Sequence, residues 1–545
     1  MFKIRKFCLN CENELCLYMK VSDIQKYKWE YIKSGILPLS KEGKFVKLTQ
    51  DSIKPTNVVE LYNTVLFVLA HATKPSDYEW AISHLKIIIK WCKANPKLPK
   101  LDNSGLPCTN IYSYYSYTML GWLVATKFKI SIEDIHSEKY TLQQLLQNSL
   151  PRFQQDACSI ANTNAELLEI LKVLEPEVLS FVLDQMRSIE FPMAYKENLF
   201  NQLEIVFLIS LDEKWHRTSN KLSFVDYYFQ REWIKKIDVE KWITLSIPKQ
   251  KELTTLQKQE IEFTSKCKLA LLQRETDPVT YMDRNSVRYY ELEHGISIGL
   301  FTMVEEKQMS YESYVGYTLY KNGFPAAYGG AWIFGGRALI GINIFEWCRG
   351  GESSLFFTQL LRVYSQVFDI SQFEVEPYQY GKDNPEGIQS GAFWFYYRLG
   401  FAPIDIKLKK LAALEFKRMS KDKNYRSPEK YLLKFTESNV RMKLNDTSII
   451  SILKTKDVVS NWIRKCFKAN RNEAIIFSKK KFESLGLYQN GYASRNQIDL
   501  CLLFSALNME PNYNDEVLVA LLKCDSSDPY LYQLLLKQIL KRGKK

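Results

Sequence analysis

Arg349-Gly350-Gly351-Glu352-Ser353-Ser354 carries the clearest chemical signal in this 545-residue chain. A glycine-rich turn that opens a helix presents backbone N–H groups that have no intrahelical acceptor, and the helix dipole adds positive potential there. Such a turn can seat a pyrophosphate or another anion. Ser353 can cap the helix, and Gly350 and Gly351 can open the turn. Glu352 is the discordant member, because a carboxylate at an anion seat is unfavourable unless it points away. The alternative is a tight strand-to-helix turn that binds nothing. A second polar collection, Glu376-Pro377-Tyr378-Gln379-Tyr380-Gly381 with Asp383-Asn384, follows a strand pattern, where ligands of α/β sheets sit. Arg362 and Arg398 can meet an anion or serve as surface and ion-pair residues. Other chemistries find no support. The five His include none near a G-x-S-x-G turn. No Walker motif and no dinucleotide G-x-G-x-x-G is present. Cys8-Leu9-Asn10-Cys11, with Cys16, has a zinc-like spacing, but there is no second C-x-x-C and the nearest His is His71. Free thiols are the expectation there, and no metal.

The elements that must position these groups are legible as pattern. Residues 338–345 form a short apolar run suited to a buried strand. The helix after the turn shows Phe356, Leu360, Val363, Tyr364 and Val367 on one face. Residues 373–378 read as a second strand. Asn384-Pro385-Glu386 opens a second helix, with proline at the first helical position. Ile388, Ala392, Phe395, Tyr396 and Leu399 fall on one side of it, and Gly400 ends it. Upstream, 315–320 and 325–330 flank Asn322-Gly323, a strong hairpin signal. Strand, glycine turn, helix, strand, helix is a parallel α/β unit.

These residues resemble the core of the GNAT acyltransferase superfamily. Tyr396-Tyr397-Arg398-Leu399-Gly400-Phe401 is similar to the Y-x-K/R-x-G-F ending of that family's last core helix, and the preceding hairpin stands in the family's order. The resemblance covers residues 295–407. A narrower resemblance is to uncharacterised bacterial proteins that carry N-I-F-E-x-x-R-G-G-E-S and S-G-A-F-W-F-Y-Y-R-L-G-F, from which no function carries over. The wider resemblance implies transfer of an acyl group from acetyl-CoA or another acyl-CoA to an amine on a small molecule or peptide. Arg349 matches the first position of the family's Q/R-x-x-G-x-G/A, while Glu352 and Ser354 stand where its small residues belong. Arg349, Gly350, Gly351, Ser353 and Ser354 would then hold the pyrophosphate. Backbone N–H groups at Ile344 and Phe345 would polarise the thioester carbonyl. Tyr396 occupies the family's tyrosine position. A phenol there can protonate the leaving thiolate, since a free thiol has a pKa near 8.5; the alternative is a core aromatic. Glu346, at the end of the central strand, is the candidate base, because an ammonium cannot attack. Glu374 and Glu376 alternate on the next strand. Two other readings stand beside this one. One is a silent GNAT-like fold whose helical flanks grip a protein or nucleic acid, with Glu352 or Trp347 filling the slot. The other is a transferase that takes its acyl group from aminoacyl-tRNA.

The rest of the chain frames that core. A net charge of +13 comes from lysines spread along the sequence, which favours a solvated surface over nucleic-acid binding. Only Lys479-Lys480-Lys481 and the tail Lys541-Arg542-Gly543-Lys544-Lys545 cluster. Eleven cysteines, an odd number, point to a reducing compartment and a cytoplasmic setting. The first twenty residues lack the apolar centre of a signal peptide, and no run reaches the ~18 apolar residues of a membrane span. The pattern as a whole is α+β and helix-rich. It places an α-helical domain over 1–250, a helical linker over 251–294, a GNAT-like mixed-sheet domain over 295–445 with a helical insertion at about 408–435, and a C-terminal α-helical domain over 446–545. Within the first domain, helices are expected over 57–72, 76–93, 142–150, 164–174, 176–186, 197–211 and 223–237, with an ordered loop over 100–117.

Overall fold

The computed structural model describes residues 21–34, 50–137, 141–156, 161–175, 177–216, 220–234, 236–447, 451–486, 494–512, 514–524 and 528–542. Cys8, Cys11, Cys16 and Gly543 to Lys545 lie outside the described residues. The chain is a helix-rich α+β protein with two sheets among the described residues. Among the described residues no helix is long and apolar enough to cross a membrane. None of their His, Cys, Asp and Glu side chains forms a group of three or more that could hold a metal.

Twelve strands are present in the described residues. The first three, β1 (Asn110–Ser113), β2 (Ile130–Ile135) and β3 (Ile205–Ser210), make a small antiparallel sheet in the order β1-β3-β2. The others are β4 (Arg288–Glu291), β5 (Ile296–Thr302), β6 (Ser313–Lys321), β7 (Phe324–Phe334), β8 (Arg337–Ile340), β9 (Asn343–Ile344), β10 (Gln372–Val375), β11 (Ala402–Pro403) and β12 (Val440–Lys443). They build a nine-stranded sheet in the order β11-β12-β10-β8-β7-β6-β5-β4, with β9 also paired to β7. The β6–β7 hairpin turns at Asn322 and Gly323, both with positive φ, 51° and 79°, which is the conformation Asn-Gly supplies at least cost. All neighbours are antiparallel except β8 and β10, which are parallel. A parallel pair needs a crossover, and the helix Ser353–Val367 provides it.

The helices that matter to the site are α1 (Val21–Ser34), α2 (Val58–His71), α3 (Pro75–Ala94), α4 (Thr255–Leu271), α5 (Ser353–Val367), α6 (Pro385–Gln389), α7 (Ala392–Arg398) and α8 (Pro529–Arg542). Three cores hold the described residues together. The largest joins the nine-stranded sheet to α1, α2, α3 and α5. α2 is apolar nearly all round, and accordingly it is buried nearly all round. The second core gathers 111–211 over the small sheet and leans on Cys267, Ala270 and Leu271 of α4. The third fills the C-terminal helices from Ile452 to Leu540.

Several elements differ from the sequence reading, each for a local reason. Residues 197–211 are a helix only to Gln202. Glu204 then takes a positive φ of 48°, and the run Ile205-Val206-Phe207-Leu208-Ile209-Ser210 becomes β3. Ile205, Phe207 and Ile209 alternate inward, as a half-buried strand requires. Residues 223–234, within the expected 223–237 helix, run as irregular chain over the sheet domain. The 100–117 segment contains β1. α4 is more than a connector. Its Thr264 and Ser265 hydroxyls meet the Tyr320 hydroxyl and Thr318 Oγ1 of β6 at 3.1 and 2.8 Å, which satisfies polar groups on a buried face. The second core helix is broken in two at Gly391, whose φ is 64°.

Candidate functional site

The strand line β8–β9 is the origin of the site. Its register on β7 holds across Gly341 and Ile342, from Ala331 opposite Ile340 to Tyr328 opposite Asn343. The N–H groups of Gly341 and Phe345 donate to Gly330 and Ala326 on β7, at 3.4 and 3.0 Å. Backbone groups alternate sides along a strand, so those of Ile342 and Ile344 face the other way. On that side β10 pairs only as far as Leu339 opposite Glu374, after which the chain leaves the sheet at Pro377. The two neighbouring strands therefore part company, and a cleft of about 290 Å³ opens between them. Ile342, Asn343 and Ile344 form one wall, Tyr378, Gln379 and Asn384 another, and Tyr396 of α7 lines it too. Arg349 and Ser353 border it at the start of α5.

Tyr396 is 3% exposed. Its hydroxyl donates to Gln379 Oε1 at 3.3 Å. Burial raises the phenol's pKa and a backbone hydrogen bond at Ile342 opposes the rise; the net effect leaves Tyr396 a neutral acid. Gln379 is wedged against the strand, because a side chain on Gly341 would meet its Cδ at 2.8 Å. A Cβ at Gly341 would have to displace the Gln379 amide.

The turn has two sides. Glu352 is 1% exposed and points away from the cleft. Its Oε2 accepts from Lys321 Nζ at 3.0 Å and its Oε1 from Gln230 Nε2 at 2.7 Å. Lys321 also donates to the carbonyl of His294 at 2.6 Å and to Gln230 at 2.7 Å, so both charges are satisfied inside the protein. A Cβ on Gly350, where φ is 86°, would approach the Trp29 ring at 3.2 Å. One on Gly351 would meet Phe67 and Trp233, each at 3.2 Å. Trp347 is buried, donates from Nε1 to Pro325 O at 3.0 Å and stacks on Phe345. Neither Glu352 nor Trp347 fills the cleft.

Glu346 lies in the short 3-10 turn Glu346–Cys348, beside the cleft rather than in it. Arg274 donates to its Oε1, and Arg349 Nη2 stands 3.8 Å away. Burial alone would raise this carboxyl, but the Arg274 hydrogen bond and charge outweigh burial and hold it below the usual carboxylate range. Glu346 Oε2 is buried with no hydrogen-bond partner among the described residues. Arg349 also donates to the carbonyl of Ile344 at 3.0 Å and pairs with Glu386 of α6 across the cleft. Burial pushes the neighbouring Cys348 thiol up to about 12, so it is no nucleophile.

Of the residues singled out from sequence, Tyr396, Ile344, Arg349 and Ser353 come together around one cleft. Phe345 does not join them as a donor, since its N–H is committed to Ala326. Gly350 and Gly351 are backed by aromatic rings, and neither they nor Ser354 line the cleft. Glu374 is buried between Arg337 and Arg441, and Arg362 between Glu293, Gln359 and the carbonyls of Leu245 and Ser246. These are structural ion pairs. Ile342, Glu386 and Ser390 were not singled out. Comparison with known proteins leaves the site to be read on its own terms: no family model, no curated protein and no solved structure matches the chain.

Proposed function

We propose that the protein transfers an acyl group from an acyl-thioester, with acyl-CoA as the donor, to an amine. The observation that carries this reading is the gap between β9 and β10, where outward-facing backbone groups of Ile342 and Ile344 border a cleft that also holds Tyr396 and the start of α5. The antiparallel hairpin, the parallel β8–α5–β10 crossover and the closing β11–β12 pair support a GNAT-like arrangement. Free cysteines among the described residues suit a cytoplasmic setting. In the proposed reaction the acceptor nitrogen attacks the thioester carbonyl carbon and the N–C bond forms. Charge developing on the carbonyl oxygen meets the Ile344 N–H. The C–S bond then breaks and the departing thiolate takes the Tyr396 proton. The nitrogen's proton goes to a base, for which Glu346 Oε2, buried and without a hydrogen-bond partner among the described residues, is the candidate.

Calorimetric titration of acetyl-CoA and a longer acyl-CoA tests the reading. Ser353→Glu, which sets a negative charge at the mouth of the turn, is expected to abolish binding, and Tyr396→Phe to spare it. Failure of the wild type to bind any acyl-CoA sinks the enzyme. A second reading, a silent fold used to hold a protein partner, draws on the aromatic backing of Gly350 and Gly351 and on the Arg349–Glu386 pair that spans the cleft. That reading predicts no acyl-CoA binding by wild type.

A further inference from the structure

The insertion between β11 and β12 concentrates the molecule's charge. Residues 406–435 hold ten Lys and Arg against three Asp and Glu, so seven of the chain's thirteen net positive charges fall in thirty residues. No run of the sequence displays this, because the lysines are spaced for a helix. The insertion leaves and rejoins the sheet edge where Ile404 N–H donates to Asn439 O at 2.9 Å. It holds two helices, Ile406–Lys421 and Glu429–Phe435. Aromatic rings fix both to α7. Phe416 stacks on Trp394 with ring centroids 6.0 Å apart, and Phe435 on Phe393 at 4.0 Å. Leu408, Ala412 and Glu415 are buried on the inner side of the longer helix. Glu415, its only carboxylate, is thus turned inward, where Tyr425 donates to it at 2.9 Å and Arg418 at 2.7 Å.

The outer face is the opposite. Ile406, Lys410, Leu414, Lys417 and Lys421 recur at intervals of three or four and share one side of the helix. All five are exposed, Ile406 at 71% and Leu414 at 59%. Among the described residues none of these three lysines has an ion-pair partner. Lys417 and Lys421, four apart, repel each other with no carboxylate beside them. Ile406 and Leu414 stand about 12 Å apart along the axis, at 1.5 Å per residue, with Lys410 between them. That alternation discriminates among anionic partners. A membrane surface takes up one continuous apolar face, and this helix has already turned its own to the protein core. A nucleic acid is held best by arginine forks and exposed aromatic rings, and this face offers lysines and aliphatic side chains. An acidic amphipathic helix meets both features at once. Its carboxylates pair with the lysines, and its aliphatic side chains cover Ile406 and Leu414. We propose that the outer face of the helix Ile406–Lys421 docks an acidic amphipathic helix of a partner protein. Docking there does not depend on acyl transfer.

The experiment measures fluorescence anisotropy of a labelled synthetic helix titrated with the full chain. The helix carries two leucines eight residues apart and glutamates on the turns between them. Three other probes are compared with it: a peptide of the same composition whose leucines sit on the opposite face, an RNA hairpin, and vesicles containing phosphatidylserine. Combining Lys410→Glu with Lys417→Glu is expected to weaken the patterned peptide about tenfold or more, because like charges then face each other. Combining Lys410→Arg with Lys417→Arg is expected to keep most of the affinity, and Leu414→Ser to weaken the patterned peptide but not the rearranged one. Equal binding of the two peptides by wild type overturns the proposal, since charge alone would then be recognised. So does an unchanged affinity in the charge-reversed variant, or no binding of the patterned peptide by wild type. Tighter binding of RNA or vesicles than of the peptide, lost on charge reversal, also overturns it and reassigns the face to a nucleic acid or to a membrane surface.

Discussion

The two faces of the turn at residues 349–353 are built on opposite principles. The back is dry and closed. Trp29, Phe67 and Trp233 press on the glycines, and Glu352 and Lys321 neutralise each other at 0% side-chain exposure. The front is open and exchangeable. Arg349 is 46% exposed, its partner Glu386 is 65% exposed, and the pair bridges a cleft rather than a core. A buried pair costs more to break than it contributes when formed, whereas an exposed one is nearly neutral either way. The same two charge types thus fix the turn from one side and leave it able to trade partners on the other.

The largest effect should come from the back. Lys321→Met strands Glu352 in the core, and about 3–5 kcal/mol of stability should be lost in chemical denaturation. Pairing it with Glu352→Leu should restore a large part, since no lone charge then remains. If the single variant is as stable as wild type, the contrast between the faces is wrong. On the front, Tyr396→Phe should lower the acyl-transfer rate by about 10²-fold while leaving donor affinity unchanged, as loss of a general acid does; a loss confined to affinity would make the phenol a packing residue. Glu346 stands between the faces, and its carboxyl is depressed by Arg274 in the folded state. Its stabilisation is therefore present above the unfolded value of about 4.3 and is lost as pH falls through the lower folded value. Wild type should exceed Glu346→Gln in stability at pH 7, and the gap should close in acid; a gap that persists once the carboxyl is protonated would exclude the ion pair as its source. The smallest effect belongs to Glu386→Gln. Thermal stability should change by less than about 1 kcal/mol, while acyl-CoA affinity should rise a few-fold as Arg349 is freed for phosphate. A weaker donor affinity would assign Glu386 to binding rather than to competition.

What was legible in the sequence follows the range of the interactions involved. Asn322-Gly323, Asn384-Pro385, Gly400 and the apolar stripe of α5 act within a few residues, and the hairpin, the cap, the stop and the crossover helix follow from them. The orientation of Glu352 does not, because it is set by Lys321 on β6 and Gln230 in an irregular segment. Trp29 and Lys28 reach the turn only through the fold. β3 escaped for another reason: Ile205-Val206-Phe207-Leu208-Ile209 satisfies strand and helix patterns equally, and only pairing with β1 and β2 decides. Glu346 was found by position, but its clamp by Arg274 lies 72 residues back along the chain.

The small sheet has a consequence of its own. Asn110 on β1 lies opposite Ser210 on β3, and Leu211 N–H donates to Thr109 O at 3.0 Å, so the chain enters and leaves the second core through adjacent strands. The whole excursion behaves as a cassette. It can be lengthened, exchanged or excised with a short splice at Thr109 and Leu211 while the ends of the remaining chain stay in place. The scar would expose the face of α4 that carries Cys267, Ala270 and Leu271, together with Phe263 and the Glu275 carboxylate that Ser116 meets.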